Sequence, residues 1–201
     1  MQFDEVKRNL ESRGYAVSCF SDARAVMDYL DAQIDGMTVG LGGSVTLEQL
    51  GAYERLSTHN TVHWHHRLAE GQSHMDVRAA ANESEVYISS VNALARTGEI
   101  VNIDHICNRV AAIAYGPQKV YLVVGRNKIA ESEADALYRA RNVAGPLNAR
   151  RLHRNTPCAI RADKCYDCDS PDRICRGLSV LWRKPAMSDI EILLIDADLG
   201  Y

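Results

Sequence analysis

Apolar and polar positions alternate along the chain with two periods, one typical of helices and one typical of strands. The first residues show the helical period, because Phe3, Val6 and Leu10 recur at spacings of three and four before Gly14. Further helices are predicted at 21–34, from 47, at 76–81 and at 132–143. Strands are predicted at 15–20, 37–41, 61–64, 86–89, 110–115, 120–124 and 190–195.

This interleaving of strands and helices predicts the fold class. It favours an α/β protein whose open, largely parallel sheet is covered by helices on both faces. The turn Gly116–Pro117 is predicted to join the strands at 110–115 and 120–124.

Length and composition favour a single domain at 1–201, which includes a cysteine-rich loop at 156–176 and the last strand at 190–195. A hydrophobic content of 46% and a charged content of 24% are ordinary for a globular protein. The net charge of -3 argues against a general nucleic-acid partner. Neither an apolar leader nor a bilayer-length apolar stretch is present, so we expect a cytoplasmic protein without membrane insertion.

A cluster of cysteines changes the picture, because it suggests a metal site. Four of the six cysteines follow the spacing C-x6-C-x2-C-x6-C, at Cys158, Cys165, Cys168 and Cys175. A cytoplasmic protein keeps its thiols reduced, so such a cluster more often binds a metal than forms disulfides. The remaining cysteines, Cys19 and Cys107, lie far away in sequence and are predicted to be small buried residues.

The sequence does not distinguish an iron–sulfur cluster from a zinc ion at these cysteines, because both bind four thiolates. Zinc fingers usually gather their cysteines in two close pairs, whereas only Cys165 and Cys168 form a close pair here. The spacing is not that of a ferredoxin either. We slightly favour a [4Fe–4S] cluster over zinc. A purely structural metal is a further alternative, since metal binding can stabilise a loop that has no core.

A glycine-rich segment follows the predicted strand at 37–41 and is a candidate anion site. Its candidate ligand residues are Gly42, Gly43, Ser44 and Thr46. Glycines let the backbone approach an anion, and a helix start and hydroxyl groups supply donors. The segment is neither the dinucleotide fingerprint nor a P-loop. The alternative is a tight turn before a capped helix, but ligands in α/β sheets bind beyond the carboxyl ends of strands.

A second candidate is the polar stretch at 96–109, which is too polar for a simple core strand. Its candidate site residues are Glu99, Asn102, Asp104, Asn108 and Arg109. Gly98 predicts a turn that directs the carboxylate of Glu99, which then serves as a base or nucleophile. The alternative is a turn whose Asn and Asp side chains bond only to the local backbone.

Two further groups receive less weight. One is the histidine group at His63, His65, His66 and His74, with metal binding or proton transfer as its functional interpretations. The other is the basic group at Arg150, Arg151, His153 and Arg154, for which a solvated helix end is preferred over attraction of an anion.

Three segments together resemble the LUD domain, the LutC-like family of lactate-utilisation proteins. They are GLGGSVT at 40–46, ARTGEIVNIDHICNRVAAIAYGPQKVYLVVGRNKI at 95–129, and the four-cysteine segment at 156–175. The resemblance covers about 1–195. It implies a fold like that of the NagB/RpiA/CoA-transferase group, with a doubly wound sheet and a ligand cleft at the glycine segment.

The resemblance also implies a role in oxidation of lactate or a related hydroxy acid. It implies a small anionic metabolite or nucleotide as ligand and iron–sulfur or dehydrogenase subunits as partners. The chain departs from the family where relatives commonly have glycines in a D-x-x-G-N-R stretch, since it has His105, Ile106 and Cys107. Three hypotheses follow: a catalytic cleft protein, a non-catalytic electron-carrier or accessory subunit, and a zinc-stapled binding module.

Overall fold

The computed structural model describes residues 3–201; Met1 and Gln2, which the predicted domain includes, lie outside the described residues. The strands are β1 (Ala16–Phe20), β2 (Thr38–Leu41), β3 (Thr61–His63), β4 (Val86–Ser89), β5 (Ala93–Ala95), β6 (Ile100–Asp104), β7 (Lys119–Gly125), β8 (Ile129–Ala130), β9 (Gly177–Leu181) and β10 (Asp189–Ile195). The α-helices are α1 (Asp4–Ser12), α2 (Ala23–Gln33), α3 (Val45–Gln49), α4 (Ala52–Leu56), α5 (His74–Asn82), α6 (Asn108–Ala114), α7 (Glu133–Arg139), α8 (Gly145–Arg151) and α9 (Pro157–Arg161). Within residues 3–201, no helix has the length and apolar character needed to cross a bilayer.

Six strands form a central sheet in the order β1-β10-β7-β4-β2-β3, and every neighbouring pair is parallel. This arrangement confirms the predicted α/β class with a largely parallel sheet. Strand β10 lies between β1 and β7, so that Ala16 pairs with Glu191 and Val120 pairs with Ile190. Because all six strands run in one direction, the carboxyl ends of β2, β4 and β7 meet at one edge of the sheet.

Helices cover both faces of the central sheet, as the sequence predicts. On one face, Val6 and Leu10 of α1 pack with Ile113 of α6 against the sheet. On the other face, Leu30 of α2 and Leu47 of α3 belong to a second core cluster. Side chains alternate between the two faces along each strand. In β10, residues 190, 192 and 194 join the first cluster and residues 193 and 195 join the second.

A second, smaller sheet has the order β8-β5-β6-β9 and was not predicted. Strand β6 pairs antiparallel with β5 and β9, while β5 pairs parallel with β8. Ala136 of α7 packs on this sheet with Ala93 and Val101. Five residues of the polar stretch at 96–109 therefore form a strand, Ile100–Asp104. Its first three residues, including the polar Asn102, are buried, and Asp104 at its end is partly buried.

The prediction of a strand at 110–115 is wrong, because this segment belongs to α6. The buried residues Arg109, Ala112 and Ile113 recur at the spacing of one helix face. The alanines of this segment also favour a helix. Gly116, with a φ of 122°, follows the helix, and the next residue is proline. Gly116–Pro117 therefore ends a helix instead of joining two strands.

Cys107 precedes α6 with a φ of 64°, in the left-handed region that favours glycine. It occupies the position of the glycine in the D-x-x-G-N-R stretch. The side chains of Cys19 and Cys107 are exposed, so the prediction that both are buried is wrong. A Cβ on Gly177 would clash with the Cys107 thiol. The absence of a side chain at Gly177 thus makes room for Cys107.

The predicted helix at 132–143 is longer than expected. Ser132 caps α7, and a π-helical segment at Ala140–Ala144 connects α7 directly to α8. Pro146 lies in the first turn of α8, where its missing N–H leaves an i→i−4 bond unmade. The wider π segment lets the helix continue past this position. Such segments are frequent beside functional sites, and Ala144 at its end lines the cavity described next.

Candidate functional site

A cavity of about 560 Å³ opens at the edge of the sheet where β2, β4 and β7 end. We call it the central cleft. Its walls include Gly43 and Ser44 after β2, Ser90 after β4 and Lys128 after β7. Asp104 at the end of β6 and Arg151 at the end of α8 complete the enclosure. The cleft therefore lies where ligands bind in open α/β sheets.

Positive charge dominates this cavity. The cationic lining residues are Arg78, Arg109, Lys128, Arg151 and Arg154. Among the residues that the structure describes, Asp104 has the only acidic side chain in the lining. A surface of this sign attracts anions and focuses their local concentration.

Arg109 holds the inner wall together. Its guanidinium donates to the backbone oxygens of Ser90 (3.1 Å) and Ile103 (2.8 Å). It also donates to Oδ1 of Asn102 (2.5 Å) and Oδ1 of Asn92 (3.1 Å). Four hydrogen bonds to neutral acceptors fix this side chain, which is only 9% exposed. Arg109 therefore positions the walls and adds positive charge, but most of its donors are already used.

Two other arginines offer donors to a ligand. Arg78 has no hydrogen bond or ion pair within residues 3–201. Nε of Arg154 is buried and lacks a hydrogen-bond partner in the described part of the chain. Arg151, by contrast, is already engaged, because its Nε donates to the hydroxyl of Tyr201 (2.8 Å) and its Nη2 donates to Oδ1 of Asn148 (3.0 Å). A buried N–H without an acceptor is unfavourable, so an anion in the cleft satisfies a donor that the protein leaves open.

Lys128 lies at the floor of the cleft and is 3% exposed. Its Nζ donates to Oγ of Ser90 (2.9 Å) and Oγ1 of Thr46 (3.0 Å). Within residues 3–201 it makes no ion pair with a carboxylate. Burial lowers the pKa of Lys128 from 10.5 to about 7, and the positive charges of Arg139 and Arg109 act in the same direction.

The structure brings most of the predicted ligand residues together. Gly43, Ser44, Asp104, Asn108 and Arg109 line the central cleft. Gly42, Thr46 and Asn102 lie directly behind the lining and support it. A Cβ on Gly42 would lie 2.5 Å from Oγ of Ser89, so only glycine fits there. The hydroxyl of Ser44 accepts a hydrogen bond from the backbone N–H of Leu47 (3.4 Å), which caps α3 as in the alternative interpretation.

Glu99 does not line the central cleft. Its carboxylate accepts hydrogen bonds from the guanidinium of Arg13 and the hydroxyl of Thr97. Gly98, with a φ of 103°, forms the predicted turn, and this turn directs Glu99 toward α1. The structure thus gives Glu99 a role in joining α1 to the second sheet, and its catalytic role stays a prediction.

The histidine and basic groups contribute to the cleft more than the sequence indicates. His65, His66 and His74 line it, and Nδ1 of His66 lies 2.7 Å from Oε1 of Glu48. Burial lowers the pKa of His65 to about 3, helped by the adjacent His66, so His65 is neutral at physiological pH. Of the basic group, Arg151 and Arg154 face the cleft and are not simply a solvated helix end.

The four clustered cysteines surround a second cavity of about 230 Å³, which we call the thiol cavity. All four predicted metal ligands line it: Cys158, Cys165, Cys168 and Cys175. Cys158 comes from α9, and the other three come from the loop between α9 and β9. The predicted loop at 156–176 therefore folds around one space. Within residues 3–201, no three His, Cys, Asp or Glu side chains lie close enough to hold a single ion.

Hydrogen-bond donors and cations surround these thiols. Sγ of Cys165 lies 3.7 Å from Nη2 of Arg141 and accepts a bond from the backbone N–H of Asp167 (3.4 Å). Sγ of Cys158 lies 3.3 Å from Oγ1 of Thr156. Arg173 donates to the backbone oxygens of two of the cysteines and so clamps the loop. Such donors stabilise thiolates and tune a bound metal group.

The thiol cavity and the central cleft share a wall. Cys175, Ile174, Ile103 and Gly145 line both cavities. Burial raises the pKa of the Cys175 thiol, while the charge of Arg173 opposes this rise. The cysteine loop therefore faces the central cleft, and Cys175 is the thiol at the boundary.

Sequence reasoning missed Lys128 and Arg78. Lys128 carried a usable signal, because the polar run Gly-Arg-Asn-Lys directly follows the most hydrophobic predicted strand. Polar residues at the carboxyl end of a central parallel strand are candidates for ligand contacts. Arg78 carried no local signal, since it lies on the exposed side of an ordinary amphipathic helix.

Comparison with known proteins adds a family and a fold. The family model described as LUD domain matches residues 3–195. No curated protein matches the chain significantly. Among solved structures, the chain is similar to a DUF162 family protein from Deinococcus radiodurans, with a TM-score of 0.54, 11% sequence identity and 96% of each chain covered. At this identity the likeness shows a shared fold alone.

Proposed function

The chain belongs to the LUD domain family, and we propose that its central cleft binds a small anionic metabolite during oxidation of lactate or a related 2-hydroxy acid. One observation carries this proposal: Nε of Arg154 is buried without an acceptor, beside the unpaired Arg78, in a cavity with one acidic side chain among the described residues. An anion supplies the missing acceptor and balances the charge.

The volume of the cleft also supports a small ligand. A cavity of about 560 Å³ falls in the range of small-molecule sites, which have few polar groups at defined positions. Here Arg78, Arg154 and Ser44 surround the space from three different elements. A carboxylate is the anion that lactate and its relatives share.

We further propose that the four thiols of the thiol cavity hold a [4Fe–4S] cluster. The four thiols line a cavity of about 230 Å³, which has more room than one zinc ion with bonds of about 2.3 Å fills. That arrangement favours a group larger than one ion, and the donors from Arg141 and Thr156 suit thiolate ligands.

A cluster at this position would supply one-electron transfer. Oxidation of a 2-hydroxy acid to a 2-oxo acid releases two electrons and two protons, so an acceptor beyond this chain is required. We therefore propose an iron–sulfur or dehydrogenase subunit as partner. Cys175 supports a link between the two sites, because it lies in the wall that the thiol cavity shares with the central cleft.

The anion site is tested by titration calorimetry with lactate, pyruvate, inorganic phosphate and ATP as probes. We expect one of these anions to bind, and Arg154→Ala and Arg78→Ala each to weaken it by about tenfold, the value of a lost charged hydrogen bond. Arg24→Ala is the matched control, because Arg24 lies on α2 with its side chain 90% exposed. Binding that Arg78→Ala and Arg154→Ala leave unchanged would remove the cleft from the proposal.

The metal site is tested by anaerobic purification, metal analysis and absorbance before and after dithionite. We expect about four irons per chain and a chromophore that dithionite bleaches. Cys168→Ser should abolish both, whereas Cys19→Ser, which changes an exposed cysteine far from the cavity, should not. One colourless zinc per chain would contradict the cluster and leave the anion site as a separate question.

A further inference from the structure

Lys128 differs from the other cations of the central cleft in its hydrogen bonds. Its Nζ donates to two hydroxyl oxygens, those of Thr46 and Ser90. Each hydroxyl directs its own proton elsewhere: Oγ of Ser90 donates to the backbone oxygen of Val123 (2.6 Å) and Oγ1 of Thr46 to that of Leu199 (3.3 Å). Both hydroxyls are therefore acceptors toward the lysine.

Two acceptors match a neutral amine. A neutral amine has two N–H bonds and one lone pair, whereas an ammonium has three N–H bonds. Within the described residues no third acceptor contacts Nζ, so the third proton of an ammonium would lack a partner. The lone pair of the amine is the remaining position on Nζ, and Lys128 lines the cleft. A desolvated lysine beside other cations is the form that attacks carbonyl carbons.

We propose that Lys128 forms an imine with the carbonyl carbon of a 2-oxo acid bound in the central cleft. This inference rests on the proposed function, in which the arginines of the central cleft bind the carboxylate of the ligand. It adds a covalent step at the other end of the ligand. The product of oxidising a 2-hydroxy acid is a 2-oxo acid, so the cleft would meet this class of compound.

The step is balanced without an oxidant or reductant. The lone pair of Nζ attacks the carbonyl carbon, Nζ gives up one proton, and the carbonyl oxygen takes up one proton, which gives a neutral carbinolamine. The hydroxyl of the carbinolamine then takes up one further proton and leaves as water, while the nitrogen lone pair forms the C=N bond of the protonated imine. Water reverses both steps and releases the 2-oxo acid. We assign the exchange of these protons to Asp104, the acidic side chain that lines the same cavity among the described residues.

The experiment is reductive trapping. The full chain is incubated with pyruvate and cyanoborohydride, digested and mapped by mass spectrometry. We expect a reduced pyruvyl adduct on Lys128 and much less on Lys164, an exposed lysine that serves as the internal control. Lactate, which has the same carboxylate but no carbonyl, should protect Lys128 and leave Lys164 unaffected. Trapping should accelerate as the pH rises through about 7, where the amine of Lys128 becomes neutral.

The variant Lys128→Arg keeps a cation but removes the nucleophile, so the adduct should disappear at this position. The wild-type map needs no variant and decides the matter if Lys128→Arg fails to fold. Pyruvate that binds in calorimetry but leaves no adduct on Lys128 would overturn the imine and leave the proposed anion site intact. Equal labelling of Lys128 and Lys164 would also overturn it. An adduct on Lys128 that the arginine variants do not reduce would support the imine and contradict the proposed arginine contacts.

Discussion

Replacing Lys128 with methionine should change how the stability of the protein depends on pH. Methionine has a similar length and no charge, and Thr46 and Ser90 keep their bonds to Leu199 and Val123. Burial lowers the pKa of Lys128 to about 7 in the native protein, whereas the ordinary pKa of an exposed lysine is 10.5. Between these values the native protein has released a proton that the unfolded chain still holds.

The sign of the pH dependence of stability follows from this difference in the number of bound protons. Because the unfolded chain binds more protons, the free energy of unfolding of the wild type rises with pH from about 7 to about 10.5. The slope reaches about 1.4 kcal/mol per pH unit for one whole proton, but Lys128 is only half deprotonated at pH 7, so the gain between pH 7 and 9 is about 2.3 kcal/mol. Well below pH 7 Lys128 is protonated in both the native and the unfolded state, and the native state then bears the whole free-energy cost of burying the charge.

The assay is urea unfolding of wild type and Lys128→Met at several pH values in this window. Other titrating groups cancel in the difference between the two proteins. We expect Lys128→Met to be the more stable protein near neutral pH and its advantage to shrink by about 2.3 kcal/mol from pH 7 to pH 9. The matched control Lys164→Met, at an exposed lysine, should run parallel to wild type. A constant difference between wild type and Lys128→Met across the window would refute the lowered pKa.

Three other variants test separate parts of the structure. Cys107→Gly should stabilise the protein by about 1 kcal/mol, because glycine adopts the left-handed backbone at this residue without strain. Gly177→Ala should destabilise the wild type but not the Cys107→Gly protein. Additive effects of the two substitutions in urea unfolding would contradict the contact between residue 177 and the Cys107 thiol. Glu99→Gln should lower the free energy of unfolding by about 1–3 kcal/mol, because the ion pair with Arg13 is lost, and it should leave the affinity for anions in calorimetry unchanged. A loss of turnover without a loss of stability would instead support the prediction that Glu99 is catalytic. Raising the salt concentration should weaken anion binding in the cleft, because partly exposed charges are screened, and a salt-independent affinity would contradict an electrostatic site.

Local patterns of apolar residues were sufficient to predict the strands of the central sheet. The apolar runs at 86–89, 120–124 and 190–195 are strands at nearly those positions, since a strand buried on both faces must be apolar throughout. The segment at 110–115 was ambiguous for the same reason, because a short apolar run also fits a buried helix. The strands of the second sheet were missed because they are short and carry polar residues such as Asn102.

The two candidate sites differ in how much the sequence could reveal. The four cysteines are close in sequence and line one cavity, while the metal site that their spacing suggests stays a prediction. The central cleft is built from the ends of strands that are distant in sequence. Lys128, Ser90 and Thr46 meet only because of the strand order, which no local pattern contains. For Glu99 the sequence predicted the turn at Gly98 correctly, but it did not show that this turn directs the carboxylate toward α1 and away from the cleft.

The place of β10 has a consequence for how the chain folds during synthesis. Among the described residues, β1 pairs only with β10 in the central sheet, although the two strands lie far apart in the sequence. The ribosome must therefore synthesise the chain as far as residues 189–195 before β1 can pair, while β2, β3, β4 and β7 can associate earlier. Until then β7 presents an unpaired apolar edge, which is a site for aggregation or chaperone binding. Closure of the sheet by β10 is expected to be a late, slow step of folding.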